Sequence, residues 1–131
     1  MNSFTPLPVE TEKIVTAIMD AAFKVHRALG PGLLESVYEA CLVREFELQG
    51  VKVERQVAVP VEYEGMALDA GLRLDLLVAG QVVVELKAVE KMNPLFEAQL
   101  LTYLKLTGKR VGLLVNFNVA KLKDGFKRMV I

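Results

Sequence analysis

Tryptophan is absent, and cysteine and histidine occur once each, as Cys41 and His26. One of each excludes a zinc site built from Cys and His, and a lone Cys41 excludes an internal disulfide. Cys41 falls on an apolar helical face and reads as a small core residue. Net charge is missing too, since 16 basic residues balance 16 acidic ones. A protein that holds nucleic acid through a broad electrostatic field carries an excess of one sign, so any such contact here must be local. The basic residues crowd in two places, Lys121, Lys123, Lys127 and Arg128 near the C-terminus and Lys105, Lys109 and Arg110 behind a helix. Taken singly, each reads as solvated surface. No apolar run approaches the ~20 residues that span a bilayer, and the N-terminus lacks the basic-then-apolar order of a signal peptide. The expectation is a cytoplasmic protein with no membrane partner. Internal repeats and low-complexity tracts are also absent.

What is present is a globular composition, 53% hydrophobic and 24% charged over 131 residues, enough for one domain with a proper core. Residues 1–8 carry two prolines and read as a loose N-terminal leader, with residues 9–131 forming the domain. From about Glu10 to Leu29 the positions Ile14, Ile18, Ala21, Ala22, Val25 and Leu29 follow helical spacing, with Thr11 or the nearby acids at the helix start. His26 lies on or beside this stripe, where a partly buried structural histidine competes with a substrate-positioning role. Gly30-Pro31-Gly32 stops the helix. A second helix runs from about Leu34 to Gln49, with Glu35 in its first turn. An acid there complements the helix dipole, or serves as a further carboxylate aimed at a site.

The period then changes to two. Val51, Val53, Arg55, Val57, Val59, Val61 and Tyr63 alternate with polar residues and predict one long half-buried strand, with Pro60 implying an edge or a bend. Glu64-Gly65 turns into a hairpin over 74–87 whose second strand, Val82-Val83-Val84 running into Glu85-Leu86-Lys87, reads as central. A helix from about Leu95 to Thr107 carries Gln99 and Tyr103 on one face. Val111–Val115 is a further buried strand, and Met129–Ile131 a short apolar run that packs or pairs at the end of the sheet. The order ααβββαβ predicts an α/β (α+β) three-layer fold, a mixed central sheet with helices on both faces. The helix before strand 111–115 acts as a parallel crossover.

The hairpin carries the chemistry. Glu85 and Lys87 share one strand face, and a charged strand end directly after a β-branched run is unusual unless the charges are paired or bind a metal. Mg²⁺ takes oxygen ligands, typically one or two carboxylates with several waters retained. Asp75 and Glu85, early and late on antiparallel neighbours, supply two carboxylates, and the Leu86 carbonyl a third oxygen. Lys87 then stands beside the attacking water and the phosphate, as phosphodiester hydrolysis requires. The competing reading is a cross-strand salt bridge at the end of the hairpin, with Lys87 there only to neutralise a carboxylate such as Glu85.

Two motifs extend this reading. Gly32-Leu-Leu-Glu35-Ser-Val-Tyr38 resembles the signature of the GxxExxY protein family, and Asp75…Glu85-Leu-Lys87 resembles the PD-(D/E)XK nuclease core. Gln99-x-x-x-Tyr103 is similar to a helix motif in one branch of those nucleases. Gly112-Leu-Leu-Val-Asn116-Phe-Asn118 and the closing Lys-Arg also look like GxxExxY members. The residue before Asp75 is Leu74 where the pattern has proline. The resemblance implies a restriction-endonuclease-like fold and a Mg²⁺-dependent nuclease acting on DNA, with Mn²⁺ as substitute. Glu35, Asp75, Glu85 and Lys87 are then the catalytic set, and Gln99 and Tyr103 support the site or the nucleic-acid backbone. The alternative is a non-catalytic nucleic-acid-binding or regulatory module that keeps the fold. A homodimer through the Val-rich strand or the first helix is a third reading.

Overall fold

The computed structural model describes residues 5–131, so the first four residues of the leader lie outside the described residues. The remainder of the leader is tied down. Leu7 is buried in the core, and the Arg110 guanidinium donates to the carbonyls of Thr5 and Pro6.

Helix α1 (Val9–Leu29) buries Val15, Ile18, Ala21, Ala22 and Val25 as a single stripe. Thr11 does not cap it. Pro8 precedes the first turn and its carbonyl accepts from Glu12 N–H, 3.1 Å. Thr11 is buried, its hydroxyl on Gln81 Oε1 at 2.7 Å. Glu10 and Glu12 occupy the first turn, where acids complement the helix dipole. Helix α2 (Glu35–Gln49) buries Tyr38, Glu39, Leu42 and Phe46 and ends at Gly50 in the left-handed conformation. Helix α3 (Pro94–Thr107) starts on an Asn93 cap whose side chain accepts from Leu95 N–H, with Pro94 in the first turn.

Among the described residues five strands form one mixed sheet. In chain order they are β1 (Val53–Ala58), β4 (Arg73–Val78), β5 (Val82–Lys87), β6 (Val111–Asn116) and β7 (Phe126–Val130). They lie in the order β1-β4-β5-β6-β7, and β5 and β6 are the one parallel pair, joined by α3. One face packs Leu76, Val78, Val84 and Leu86 against α1 and α2. The other packs Leu77, Val83 and Leu114 against Leu100, Tyr103 and Leu104 of α3. This is the expected three-layer arrangement, with β5 at its centre and all but its last residue buried. The C-terminal apolar run belongs to a longer strand than expected, because β7 begins at Phe126 after a 3-10 turn, Leu122–Gly125.

The single long strand expected over 51–63 is two elements. β1 stops before Pro60, which has no N–H to give a ladder. Two short strands, β2 (Val61–Tyr63) and β3 (Met66–Leu68), form a separate hairpin. The period-two pattern is also broken inside β1. Val53 packs on the α1/α2 face, whereas Val57 packs on the α3 face, although unbroken alternation would put both on one side. The switch falls at Gln56, whose φ of 50° is left-handed, a conformation that costs a non-glycine residue about 1–2 kcal/mol. Across the ladder the same switch occurs in β4, with Leu74 on the α3 face and Leu76 on the other. Arg55↔Leu76 and Val57↔Leu74 pair, while Gln56 and Asp75 between them do not.

After β6 the chain makes a tight contact with itself. A Cβ built at Gly125 would run into the Asn116 backbone carbonyl, which cannot swing aside as a side chain would. Gly125→Ala is expected to cost at least ~1–3 kcal/mol, the usual penalty of overpacking. Chemical denaturation checks it, and an unchanged midpoint would remove the close contact from the account of the fold.

Candidate active site

The break in the sheet is where the polar residues gather. The β4–β5 ladder pairs Val78↔Val82, Leu77↔Val83 and Leu76↔Val84 and then ends one pair short of Asp75 and Glu85. Beyond it the two side chains replace backbone pairing. Asp75 Oδ2 accepts from the Leu86 N–H at 2.8 Å, and Glu85 Oε1 accepts from the Asp75 N–H at 3.1 Å. Each carboxylate is thus held by the neighbouring strand's backbone. On the β1 side the unpaired Gln56 sends Nε2 to Glu39 Oε1 at 2.8 Å and towards Asp75 Oδ1 at 3.4 Å.

Helix α2 closes the site from the other side. Its first residue, Glu35, brings its carboxyl close to the backbone of Ala88, directly after Lys87, and close enough to the Asp75 and Lys87 charges to feel both. Gly32 makes this approach possible with a φ of 96°, a conformation glycine adopts at little cost. Tyr38, fully buried, braces the same loop. Its hydroxyl donates to the Gly30 carbonyl at 2.6 Å and accepts from the Leu33 N–H at 3.2 Å. Its ring stacks on Phe117 at 4.4 Å. Glu35, Glu39, Gln56, Asp75 and Leu86 line a pocket of about 140 Å³.

Glu85 and Lys87 do not line this pocket, but the electrostatics around it mark a place where carboxylates compete. Glu85, 6% exposed, has its pKa pushed up to about 8, first by burial and then by the charge of Asp75. Lys87 and the Asp75 N–H only partly offset this. Glu35, at the exposed rim, is also raised, mainly by desolvation, with Lys87 pulling the other way. The salt bridge of the competing reading, Lys87 neutralising Glu85, is not formed among the described residues. Among the described residues Lys87 makes no ion pair, and its Nζ sits 4.3 Å above the Phe96 ring. A cation over an aromatic face is held without being neutralised.

The predicted residues separate into three groups. Glu35, Asp75, Glu85, Leu86 and Lys87 come together where the strands open. Tyr103 joins them from α3: it is buried, and its hydroxyl pKa is raised by burial and then by the charges of Glu85 and Asp75. Gln99 is solvent-exposed and hydrogen-bonded to none of them among the described residues. His26 stands apart, with Nε2 2.8 Å from the Val119 carbonyl. A carbonyl only accepts, so Nε2 carries the proton, and His26 acts as a brace between α1 and the segment after β6.

Three further participants carry no site role in the sequence reading, although Asn116 lies within one of its motifs. Glu39 is buried beneath the site and held by Arg55 at 2.9 Å as well as by Gln56. Its spacing four residues after Glu35 was a legible signal. Gln56 had none, because its role depends on register. Asn116, at the end of β6 beside Lys87, is buried and bonds both N–H and carbonyl of Val89.

The donor set fits a hard divalent cation. Carboxylate and backbone oxygens suit Mg²⁺, and neither nitrogen nor sulfur ligands stand among them. Among the described residues no group of three or more Asp, Glu, His or Cys side chains is arranged to hold a metal ion.

A model of the PD-(D/E)XK nuclease superfamily matches residues 12–129, and the chain belongs to that superfamily. Its five-stranded mixed sheet between helices is the restriction-endonuclease-like fold. No curated protein and no solved structure matches the chain. No helix among the described residues is long and apolar enough to cross a membrane.

The raised Glu85 pKa sets a stability profile. Folded Glu85 keeps a proton up to about pH 8, while the unfolded chain loses it near 4.5. Between those values the folded state binds more protons, so stability falls as pH rises, by up to about 1.4 kcal/mol per pH unit. In metal-free buffer, Glu85→Gln is expected to flatten this slope. Unfolding free energies measured from pH 5 to 8 that show the same slope in both proteins would refute the assignment.

Proposed function

We propose that the protein is a divalent-cation-dependent nuclease that hydrolyses phosphodiester bonds in DNA, with Mg²⁺ as the ion and Mn²⁺ as a substitute. The observation that carries this reading is the juxtaposition at the opened strand ends: two carboxylates anchored by backbone N–H groups, beside a lysine with no ion-pair partner among the described residues. A structural salt bridge would have consumed that lysine.

Asp75, Glu85 and the Leu86 carbonyl would hold the cation, which when bound supplies Lewis acidity to water and phosphate. Lys87 orients the attacking water and donates to the non-bridging phosphate oxygens as negative charge builds there. Phe96 keeps the ammonium aimed without neutralising it. Glu35 at the rim takes up the water's proton, a task suited to a carboxyl whose pKa is raised by desolvation. Tyr103 offers a hydroxyl to the Glu85 side of the site. Gln99, exposed on the same helix, contacts the nucleic-acid backbone. His26 contributes to substrate positioning through the segment after β6, which it braces against α1. The chain works in the cytoplasm, in keeping with its one unpaired thiol.

Lys87→Ala is expected to lower cleavage by ~10²–10³, the usual loss for one preorganised donor, with Mg²⁺ affinity retained. Asp75→Asn is expected to weaken Mg²⁺ itself, because an amide is a poorer ligand than a carboxylate. Calorimetric Mg²⁺ titration beside cleavage assays on DNA and RNA separates the two. Wild-type cleavage by Lys87→Ala would end its assignment, and DNA binding without turnover in any divalent cation would establish the non-catalytic module instead.

A further inference from the structure

A groove of about 630 Å³ runs beside the site, between the C-terminal end of α1, the α1–α2 loop and the segment after β6. Arg27, Lys121 and Lys123 line it, and no carboxylate does. All three are exposed, and among the described residues none is in an ion pair, whereas their neighbours Lys24, Lys127 and Arg128 are matched to Glu45, Glu97 and Glu12. In a chain of zero net charge, three unmatched cations around one concavity form a local positive surface.

Its walls are continuous with the site. The α1–α2 loop, held by Tyr38, leads into Glu35. The opposite wall leaves β6 at Asn116, beside Lys87, and Phe117 N–H bonds the Lys87 carbonyl at 2.9 Å. His26, in the last turn of α1, ties that helix to the second wall through the Val119 carbonyl. Phe23 in this groove is half-buried against the Phe126 ring, 5.4 Å away. Its ring thus packs on a neighbouring ring instead of standing clear as a stacking platform for unpaired bases, the hallmark of single-strand grooves.

We propose that this groove holds the sugar–phosphate backbone of duplex DNA flanking the scissile bond, with Arg27, Lys121 and Lys123 each meeting a phosphate. The proposal rests on the nuclease reading for its substrate but not for its test. Such contacts position the duplex without reading sequence, and each phosphate neutralised adds about 0.9 to the salt dependence of binding.

The test is fluorescence anisotropy with a short labelled duplex in EDTA, across a salt series, where turnover plays no part. The triple variant Arg27→Gln/Lys121→Gln/Lys123→Gln is expected to bind on the order of tenfold or more weakly, with the slope of log K against log salt reduced by about 2–3. The charge-matched variant Lys13→Gln/Lys52→Gln/Lys105→Gln, at the opposite end of the sheet, is expected to keep most of the affinity and slope. In Mg²⁺ the groove variant should show raised KM at retained kcat. Equal losses in the two variants, or tighter binding of the single strand than of the duplex, would overturn the proposal. Absence of Mg²⁺-dependent cleavage by the wild type, with the groove-specific binding loss intact, would reject the nuclease reading and leave the groove assignment standing.

Discussion

The structure depends on one reciprocal contact: the Asp75 carboxylate takes the Leu86 N–H while the Glu85 carboxylate takes the Asp75 N–H. A sheet interior normally satisfies its amides with carbonyls, and an unpaired buried amide is costly. Substituting side-chain oxygens lets the β4–β5 ladder end abruptly without leaving amides bare. The carboxylates are at the same time drawn out of water and towards each other, which is why Glu85 resists ionisation. The same contact therefore ends the ladder and primes the site electrostatically.

Much of the remaining polar structure serves to hold that opening in register. Gln56 adopts an unfavourable backbone conformation and spans Glu39 and Asp75. Glu39 is in turn held by Arg55, so the strained residue is clamped by a charge-assisted bond from its own strand. On the other side, Tyr38, Phe117 and His26 join the α1–α2 loop to the segment after β6. No buried side-chain nitrogen or oxygen among the described residues lacks a partner. Local strain of this kind persists where the surroundings over-determine it, and it concentrates at functional sites.

The parts of this architecture governed by local pattern were legible in the sequence. Helical spacing marked α1, and the Val82–Val84 run marked a buried central strand. Alternation placed Glu85 and Lys87 on a common face, and the antiparallel hairpin brought Asp75 to meet them. What depended on pairing across strands was not legible. Val53 and Val57 look equivalent in the sequence, yet they pack on opposite faces because Gln56 reverses the alternation. Glu85-Leu86-Lys87 equally suited a salt bridge, and only Phe96, arriving from α3, decides where the lysine rests. The basic cluster at 121–128 read as uniform surface, but helix α1 and helix α3 supply acids to Arg128 and Lys127 and none to Lys121 or Lys123.

The skipped pair at Gln56 has a consequence beyond the site. β1 is an edge strand, and edge strands expose unpaired amides on which another chain can dock and begin to aggregate. A partner strand needs a straight run of several residues to gain from such pairing. Here the run is bent at Gln56 and stopped at Pro60, and Lys52, Glu54 and Arg55 add charges of both signs along it. The kink that assembles the carboxylates thus also makes the open edge a poor template, and it guards against sheet extension in a chain without net charge to keep copies apart.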